Sequence, residues 1–402
     1  MPVFLYVLGL AVFAQGTSEF MLSGLIPGIA RELSVSVGAA ASLTSAYAVG
    51  MVVGAPVMAV VGARLPRRAA LGGFLGVFVV AHVVGAVTSD FAVLFGTRVV
   101  AAVVNAGFLA VALSTASSLV ASELAGRATS VLLAGVTLSC AVGVPAGALL
   151  GEWFGWRAAF WGVAGLCLPA LAWVLRTAGG ERGQGAGGGG AFGGERGQGA
   201  GEGGVFGVRA ELRSLGRGSL RRALFMGAAV NGATFAGFSY LAVIATEVAG
   251  LPGGVVPVLL AVFGVGAFFG VTGAGRLGDH WLRVGVLVLP VAWGVFAVTG
   301  EWGGVLFGGA LVLGGLSFGV GSALVGRVLY VGSGEAPVLA GAFATIALNL
   351  GAVVGPLMAG GVSEASGDYR DAVWVSAGLA AVAALGSRPG NPKRRTAHTP
   401  LA

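Results

Sequence analysis

Charged residues are scarce in this chain of 402 residues, where they make up 10% of the sequence. Soluble domains contain about 25% charged residues. Hydrophobic residues make up 56%, and the mean hydropathy is +0.93. A chain this apolar cannot cover its surface with polar groups in water, so lipid must form part of its solvent. The composition therefore predicts an integral membrane protein.

Residues that build metal sites, disulfide frameworks or catalytic centres are also few. The two cysteines, Cys140 and Cys167, both lie in apolar runs, and a disulfide framework needs more than that. The three histidines, His82, His280 and His398, show no metal-ligand spacing. The sequence has no phosphate-binding loop and no cluster of titratable groups. We therefore expect no enzyme, no cofactor, no metal, no nucleic-acid partner and no use of ATP.

Long apolar runs dominate what is present. A helix that crosses about 30 Å of hydrocarbon needs roughly 20 apolar residues. Charge clusters and turn residues divide the chain into twelve segments of about this length, which predicts an all-α protein with twelve transmembrane helices. The predicted spans lie near residues 4–27, 38–62, 69–88, 91–116, 129–150, 157–176, 221–245, 255–275, 283–300, 303–325, 337–361 and 371–387.

The placement of basic residues predicts the orientation of these spans. With the N-terminus in the cytoplasm, nineteen of the 23 basic residues lie on the cytoplasmic side. The outer loops then contain only Arg31, Arg157 and Arg370, and Arg98 lies inside the fourth span. Cytoplasmic loops of membrane proteins are enriched in Arg and Lys. We therefore expect both termini in the cytoplasm.

A glycine-rich stretch divides the chain in the middle. Residues 179–192, GGERGQGAGGGGAF, recur as residues 193–206 with twelve of fourteen positions identical. Such a tract has no apolar face to bury and predicts a flexible coil. We expect a cytoplasmic linker over residues 178–218.

The six spans on each side of this linker resemble each other. GVPAG at 143–147 matches GPLMAGG at 355–361 with an offset of 211 residues, and other short matches share nearly the same offset. Two repeats of six helices indicate a transporter that rocks two bundles about a central site. We expect bundles at residues 1–177 and 219–387, followed by a cytoplasmic tail at 388–402.

One acidic residue interrupts the first apolar run. Glu19 lies within VFAQGTSEFMLSGLIP, and a charge at mid-membrane costs roughly 2.5–3.5 kcal/mol. Gln15, Glu19 and Ser23 are spaced by four residues, which places them on one helix face and favours a cavity. A carboxyl group with little water around it is more readily protonated, so Glu19 could bind and release a proton. The alternative is a structural glutamate bonded to a neighbouring helix.

Arg98 is the other charge within a span. A guanidinium group cannot lose its proton and must find acceptors. It could act on a nearby carboxylate, or it could serve structure near the end of its helix. His82, alone in the third span, is interpreted as a packing residue in preference to a proton relay.

Two arginine-rich turns lie at matching places, GARLPRRAAL at 62–71 and GAGRLGDHWLR at 273–283. GRLGD resembles the cytoplasmic-loop signature of the major facilitator superfamily, which links adjacent spans and latches the inner gate. The first-half turn departs from it at Ala63, where the family usually has Asp, and at Pro66, where it has Gly. The resemblance implies a cytoplasmic gate at Arg64, Arg67, Arg68, Gly275, Leu277 and Asp279.

Three further stretches resemble signatures of this superfamily. Arg98 with the small residues after it fits the span-4 signature. GVPAG resembles the antiporter signature, which implies roles for Gly143, Pro145, Gly147 and Gly151, and ordinary close packing is the alternative. GTSEFMLSGLIP resembles the first span of the twelve-span drug:proton antiporters, in particular the branch with actinomycete chloramphenicol exporters and sugar-efflux-like permeases.

The resemblance implies export of a neutral amphipathic drug, chloramphenicol first of all, across the bacterial inner (plasma) membrane. The proton gradient would supply the energy, and the protein would work as a monomer among membrane lipids. Gln15, Glu19 and Arg98 would bind the proton or the substrate. Export of a sugar or small metabolite is the alternative, disfavoured by the few polar groups in the spans. The candidate cavity residues are Phe20, Tyr47, Asn105, Phe108, Asn231, Phe235, Tyr240 and Asn349.

Overall fold

The structure, a computed structural model, describes residues 3–118, 131–179 except 133 and 137, 218–335 except 278, and 340–387. The duplicated linker and the C-terminal tail lie outside these ranges. Within them the chain forms thirteen α-helices and no strand. The helices are α1 Val3–Phe20, α2 Leu22–Leu33, α3 Val37–Arg64, α4 Arg67–Val87, α5 Phe91–Ser118, α6 Val144–Phe154, α7 Trp156–Gly179, α8 Gly218–Val243, α9 Val256–Leu277, α10 Asp279–Thr299, α11 Gly303–Glu335, α12 Ala340–Ser366 and α13 Arg370–Gly386.

The prediction of an all-α membrane protein is confirmed. Eleven helical segments in the described ranges are long and apolar enough to cross a membrane. The last predicted span corresponds to α13, which has 17 residues and a length of about 25 Å. That length is near the lower limit for a membrane helix. The orientation of the termini stays a prediction.

Two helices extend beyond the predicted spans. The first span was expected to end at Pro27, but α2 continues through this proline to Leu33. A proline removes one backbone donor and bends a helix, and membrane helices tolerate this because neighbouring groups satisfy the freed carbonyl. The tenth span was expected to end at residue 325, but α11 extends to Glu335. A membrane surface does not itself stop a helix, and Arg327 is a good helix former.

Two antiparallel helix pairs join the halves of the molecule. α3 packs against α12, where Ser45 Oγ donates to the carbonyl oxygen of Val353 at 2.9 Å. α9 packs against α6 and against the π-helical segment Ser139–Gly143 before it. A Cβ on Gly264 would lie 2.5 Å from the carbonyl oxygen of Cys140, so the two backbones are in close contact. The pairs are equivalent under the internal repeat.

Two carboxylates connect the halves at the end of the molecule where α3 begins. One lies at the α3–α12 pair and the other at the α6–α9 pair. Ser36 caps the N-terminus of α3 through its Oγ and donates a hydrogen bond to Glu364 of α12. A Cβ on Gly253, at the turn before α9, would lie 2.7 Å from Glu152 Oε2 at the end of α6. Residues 152 and 364 are 212 positions apart, the offset of the repeat. Each carboxylate thus lies at the positive end of a helix from the other half.

We expect the double variant Glu152→Gln, Glu364→Gln to loosen this end. Each exposed carboxylate contributes about 0.5 kcal/mol at a helix N-terminus, so losing both favours opening about five-fold. The measurement is the rate at which a maleimide labels Ser45→Cys in a variant without other cysteines, because Ser45 is buried between the halves. Glu301→Gln is the matched control, since Glu301 contacts Arg370 of its own half. Equal labelling rates in both variants would contradict this role.

Candidate functional site

The first membrane span is interrupted beside Glu19. α1 ends at Phe20 and α2 begins at Leu22, with Met21 between them. Met21 N–H still donates a hydrogen bond to Thr17 O at 2.9 Å. Gly24 N–H donates to Met21 O at 3.1 Å, three residues back. The interruption at Met21 leaves the carbonyls of Ser18 and Phe20 without their regular α-helical donors. Broken helices at mid-membrane expose backbone groups that bind ions or side chains.

Arg98 of α5 occupies this break. Its two terminal nitrogens donate to Ser18, one to Oγ at 2.8 Å and one to the carbonyl oxygen at 2.7 Å. The guanidinium group also lies over the rings of Tyr47, at 4.5 Å, and Phe160, at 5.8 Å. The side chain is 1% exposed, so these contacts replace its water. Ser18 therefore binds a fully buried cation.

His82 of α4 continues this hydrogen-bond chain. Its Nδ1 lies 2.8 Å from the carbonyl oxygen of Phe78, and its Nε2 lies 2.6 Å from Ser18 Oγ. A carbonyl can only accept, so we assign the proton to Nδ1. The neutral ring then accepts the Ser18 proton at Nε2. The histidine interpreted from sequence as a packing residue thus contacts the residue that binds Arg98.

Tyr47 and Asn105 form a second polar pair beside Arg98. Asn105 Nδ2 donates to the Tyr47 hydroxyl at 2.9 Å and approaches Met51 Sδ at 3.6 Å. Both side chains are buried. The structure therefore brings together three of the sequence candidates, Tyr47, Arg98 and Asn105, inside the N-terminal half.

Glu19 and Gln15 differ from their neighbours because their polar atoms lack partners. No hydrogen bond or ion pair reaches the Glu19 carboxylate from the described residues, although Arg98 binds the residue next to it. Gln15 is 1% exposed, and neither its amide nitrogen nor its amide oxygen has a partner within the described part of the chain. A buried amide without partners costs about 1–3 kcal/mol. Two unpaired groups one helical turn apart form a site prepared for a ligand or a proton.

Phe20, the residue after Glu19, links the site to the other half. Its ring stacks on Phe235 of α8 at 5.8 Å and lies edge-on to Phe318 of α11 at 6.4 Å. Phe318 contacts Phe263 of α9 at 6.1 Å, and Phe263 contacts Phe238 at 4.8 Å. We call these five rings the aromatic cluster. Phe20 and Phe235 were among the candidates predicted from the sequence; among 22 phenylalanines, nothing distinguished the other three.

The remaining cavity candidates are engaged in packing or in hydrogen bonds within one half. Asn231 Nδ2 donates to Leu348 O at 2.7 Å, which ties α8 to α12. Asn349 Nδ2 donates to Thr345 O of its own helix at 2.9 Å. The Tyr240 hydroxyl accepts from Ser363 Oγ at 3.3 Å, and Phe108 is fully buried. Substrate contact by these four residues stays a prediction.

Most of the predicted cytoplasmic gate falls where side chains are not described. This applies to Arg64, Leu277 and Asp279, and to the environment of Gly275. Arg67 and Arg68 lie at the start of α4, Arg67 exposed and Arg68 half-buried. The gate stays a prediction from the resemblance.

The glycines of the predicted antiporter motif form a tight contact with the first span. A Cβ on Gly143 would overlap Thr17 Oγ1, and a Cβ on Gly151 would overlap Leu25 Cδ2. A Cβ on Gly147 would lie 3.1 Å from Met21 Cβ. The glycines and their partners are each spaced by four residues, which is the pattern of close helix packing in membranes. Pro145 is buried near the start of α6. A role in antiport stays a prediction.

We expect Gly143→Ala to destabilise the protein, because its methyl group would overlap Thr17. Overpacking of this kind costs about 1–3 kcal/mol and should lower the melting temperature in detergent. Adding Thr17→Ala removes Oγ1 and Cγ2 but leaves the Thr17 Cβ position 2.9 Å from the added methyl group, so it should restore part of the loss. Gly165→Ala is the control, since a Cβ there meets no atom within 4 Å. An unchanged melting temperature for Gly143→Ala would contradict the tight contact.

Comparison with known proteins gives consistent matches over the whole chain. The sequence model of the family described as Major Facilitator Superfamily matches residues 8–346. A chloramphenicol resistance protein of Streptomyces lividans is 47% identical over 393 residues, with 97% of this chain and 96% of that protein aligned. A chloramphenicol efflux pump of Mycobacterium tuberculosis is 30% identical over 402 residues, with 95% and 90% aligned.

A solved structure with the same fold is a bacterial homologue of the human lysosomal transporter Spinster, in an inward-facing and unoccupied conformation. It superposes with a TM-score of 0.76 over 96% of this chain and 95% of that chain. Sequence identity is 15%, so this likeness is one of fold.

Proposed function

Because this chain belongs to the Major Facilitator Superfamily, we propose that it exports chloramphenicol in exchange for protons by alternating access. It is a multi-pass protein of the bacterial plasma membrane. The observation on which the proposal rests is the position of Glu19. An unpaired carboxylate lies at a helix break, next to a buried arginine on one side and the inter-half aromatic cluster on the other.

Protonation of Glu19 would couple the proton gradient to transport. A carboxylate without hydrogen bonds in an apolar surrounding gains stability when it binds a proton. A protonated Glu19 is neutral and tolerates a closed, dry site, whereas an ionised one favours contact with water or ligand. The two states therefore favour different conformations, and the proton gradient biases the cycle between them.

The aromatic cluster supports a neutral, amphipathic substrate. Phe20 and Phe235 come from different halves and stack on each other, so a flat ring inserted between them would contact both halves at once. Gln15 offers an amide donor and acceptor one turn from Glu19. Chloramphenicol combines a nitrophenyl ring with hydroxyl and amide groups, which match these two kinds of contact.

The test is accumulation of labelled chloramphenicol in a sensitive bacterium without its own pumps. Cells with the wild-type protein should accumulate less drug than cells with an empty vector, and a protonophore should remove the difference. Labelled sugars serve as the second substrate class. Accumulation equal to that of the empty vector, with lowered accumulation of a sugar, would contradict the proposal.

A further inference from the structure

Ser18 and His82 explain how a buried arginine can lie beside Glu19 without pairing with it. Arg98 donates twice to Ser18, and the adjacent Glu19 carboxylate receives no hydrogen bond or ion pair from the described residues. An arginine that reaches the residue next to a carboxylate in a low-dielectric site has a charged acceptor available, and such pairs favour bidentate hydrogen bonds. Something must therefore hold the guanidinium group on Ser18.

The helix break frees one acceptor for Arg98. An intact helix would use the Ser18 carbonyl to accept from Leu22 N–H, but Leu22 starts a new helix. The freed carbonyl oxygen accepts from Arg98 at 2.7 Å. The break thus supplies the first acceptor for the guanidinium group.

The Ser18 hydroxyl is the second acceptor for Arg98, and His82 fixes its orientation. His82 Nδ1 is committed to the Phe78 carbonyl, so the neutral ring accepts the Ser18 proton at Nε2. With its proton directed to His82, Ser18 Oγ presents a lone pair to Arg98 at 2.8 Å. Ser18 is fully buried and His82 is 1% exposed, so no water competes for these bonds.

We propose that Ser18 and His82 are positioning residues that hold Arg98 away from the Glu19 carboxylate and so keep Glu19 able to take up a proton. Without them, Arg98 would lose the Ser18 hydroxyl as an acceptor and become free to pair with the unpaired carboxylate of the next residue, Glu19. An ion pair stabilises the ionised carboxylate, so Glu19 would then take up its proton only at lower pH. The inference deepens the proposed function, since it concerns the proton site of the exporter.

The charged and titratable groups around Glu19 come from four elements. Arg98 of α5 and His82 of α4 both bond Ser18, the residue before Glu19. Tyr47 of α3 lies under the Arg98 guanidinium group, and Cys140 belongs to the π-helical segment that packs against α1. On the side of α8, the neighbouring Phe20 stacks on Phe235. Arg98 is the one permanent charge in this set, so its position controls the protonation of Glu19.

The test measures Glu19 protonation without any drug. Dicyclohexylcarbodiimide reacts with protonated carboxyl groups in apolar sites, and mass spectrometry of the purified protein gives the extent of reaction at Glu19 from pH 5 to 9. In Ser18→Ala and His82→Leu, the midpoint of this pH dependence should move at least one pH unit lower than in the wild type. His82→Gln, whose amide oxygen can accept from Ser18, should keep most of the wild-type value.

Ser376→Ala is the matched control, because it removes an equally buried hydroxyl from α13 and should leave the midpoint unchanged. Unchanged midpoints in both Ser18→Ala and His82→Leu would overturn the inference. If His82→Leu does not fold, Ser18→Ala decides alone. Chloramphenicol binding by the wild type, measured on the same preparation, separates this outcome from a failure of the proposed function.

Discussion

Glu19→Gln is expected to abolish chloramphenicol export driven by a proton gradient and to preserve exchange of drug for drug. The amide resembles a permanently protonated carboxyl group in size and charge, so the conformational cycle of the loaded protein can still proceed. The variant cannot bind or release a proton at this position, so the proton gradient can no longer drive the cycle in one direction. A charge that crosses 100 mV contributes about 2.3 kcal/mol, which corresponds to roughly a forty-fold concentration ratio. The variant should lose this entire ratio.

Proteoliposomes separate the two activities. Uptake of labelled drug against a gradient requires an imposed pH difference, whereas counterflow requires only unlabelled drug inside. Glu32→Gln is the matched control, since Glu32 pairs with Arg157 at the surface, where ion pairs contribute about 0–1 kcal/mol. Gradient-driven uptake by Glu19→Gln at the wild-type rate would show that the proton binds elsewhere.

Arg98→Lys is expected to remove most export and to lower thermal stability, although the charge is retained. The guanidinium group donates to Ser18 from two nitrogens and lies over the Tyr47 ring at 4.5 Å. A lysine has one nitrogen and a compact, strongly hydrated charge, so it cannot reproduce this geometry. A lost hydrogen bond from a charged group costs about 1.5–3 kcal/mol, which corresponds to a ten- to hundred-fold loss of transport rate.

The control for Arg98→Lys is Arg157→Lys. Arg157 also lies over an aromatic ring, that of Trp156 at 4.4 Å, but its side chain is 27% exposed. Water can replace its contacts, so this variant should transport within about two-fold of the wild type. Export and melting temperature measured side by side test the contrast. Wild-type export by Arg98→Lys would mean that only the charge of Arg98 matters.

The helical architecture followed from the sequence because its cause is local. Apolar length, charge clusters and the arginine asymmetry are visible in the chain itself, and the helices α3 to α5 begin and end within a few residues of their predicted spans. The break at Met21 was not predicted. Nothing in GTSEFMLSGLIP forces a helix to stop there, because one of the two replacement donors, Arg98, lies 80 positions away in the chain. Arg98 satisfies Ser18 O, and Ser23 Oγ satisfies Phe20 O at 3.2 Å.

The charged residues of the candidate site could be predicted from the sequence, but the contacts that they make could not. Glu19 and Arg98 stand out because charges are costly in lipid. Ser18 has no such signal, and its role depends on three helices that meet only in the folded state. Phe263 and Phe318 were missed for the same reason. His82 was noticed as the one histidine in a span, but its pairing with Ser18 depends on a separation of 64 positions in the chain.

The most direct test of the account is whether a chloramphenicol gradient alone moves protons. Proteoliposomes that contain the purified protein and a pH-sensitive dye receive an outward drug gradient with no pH difference and no membrane potential. We expect a saturable proton flux opposite to the drug, present in the wild type and absent in Glu19→Gln. Drug that equilibrates without proton movement, or a proton flux that persists in Glu19→Gln, would contradict it.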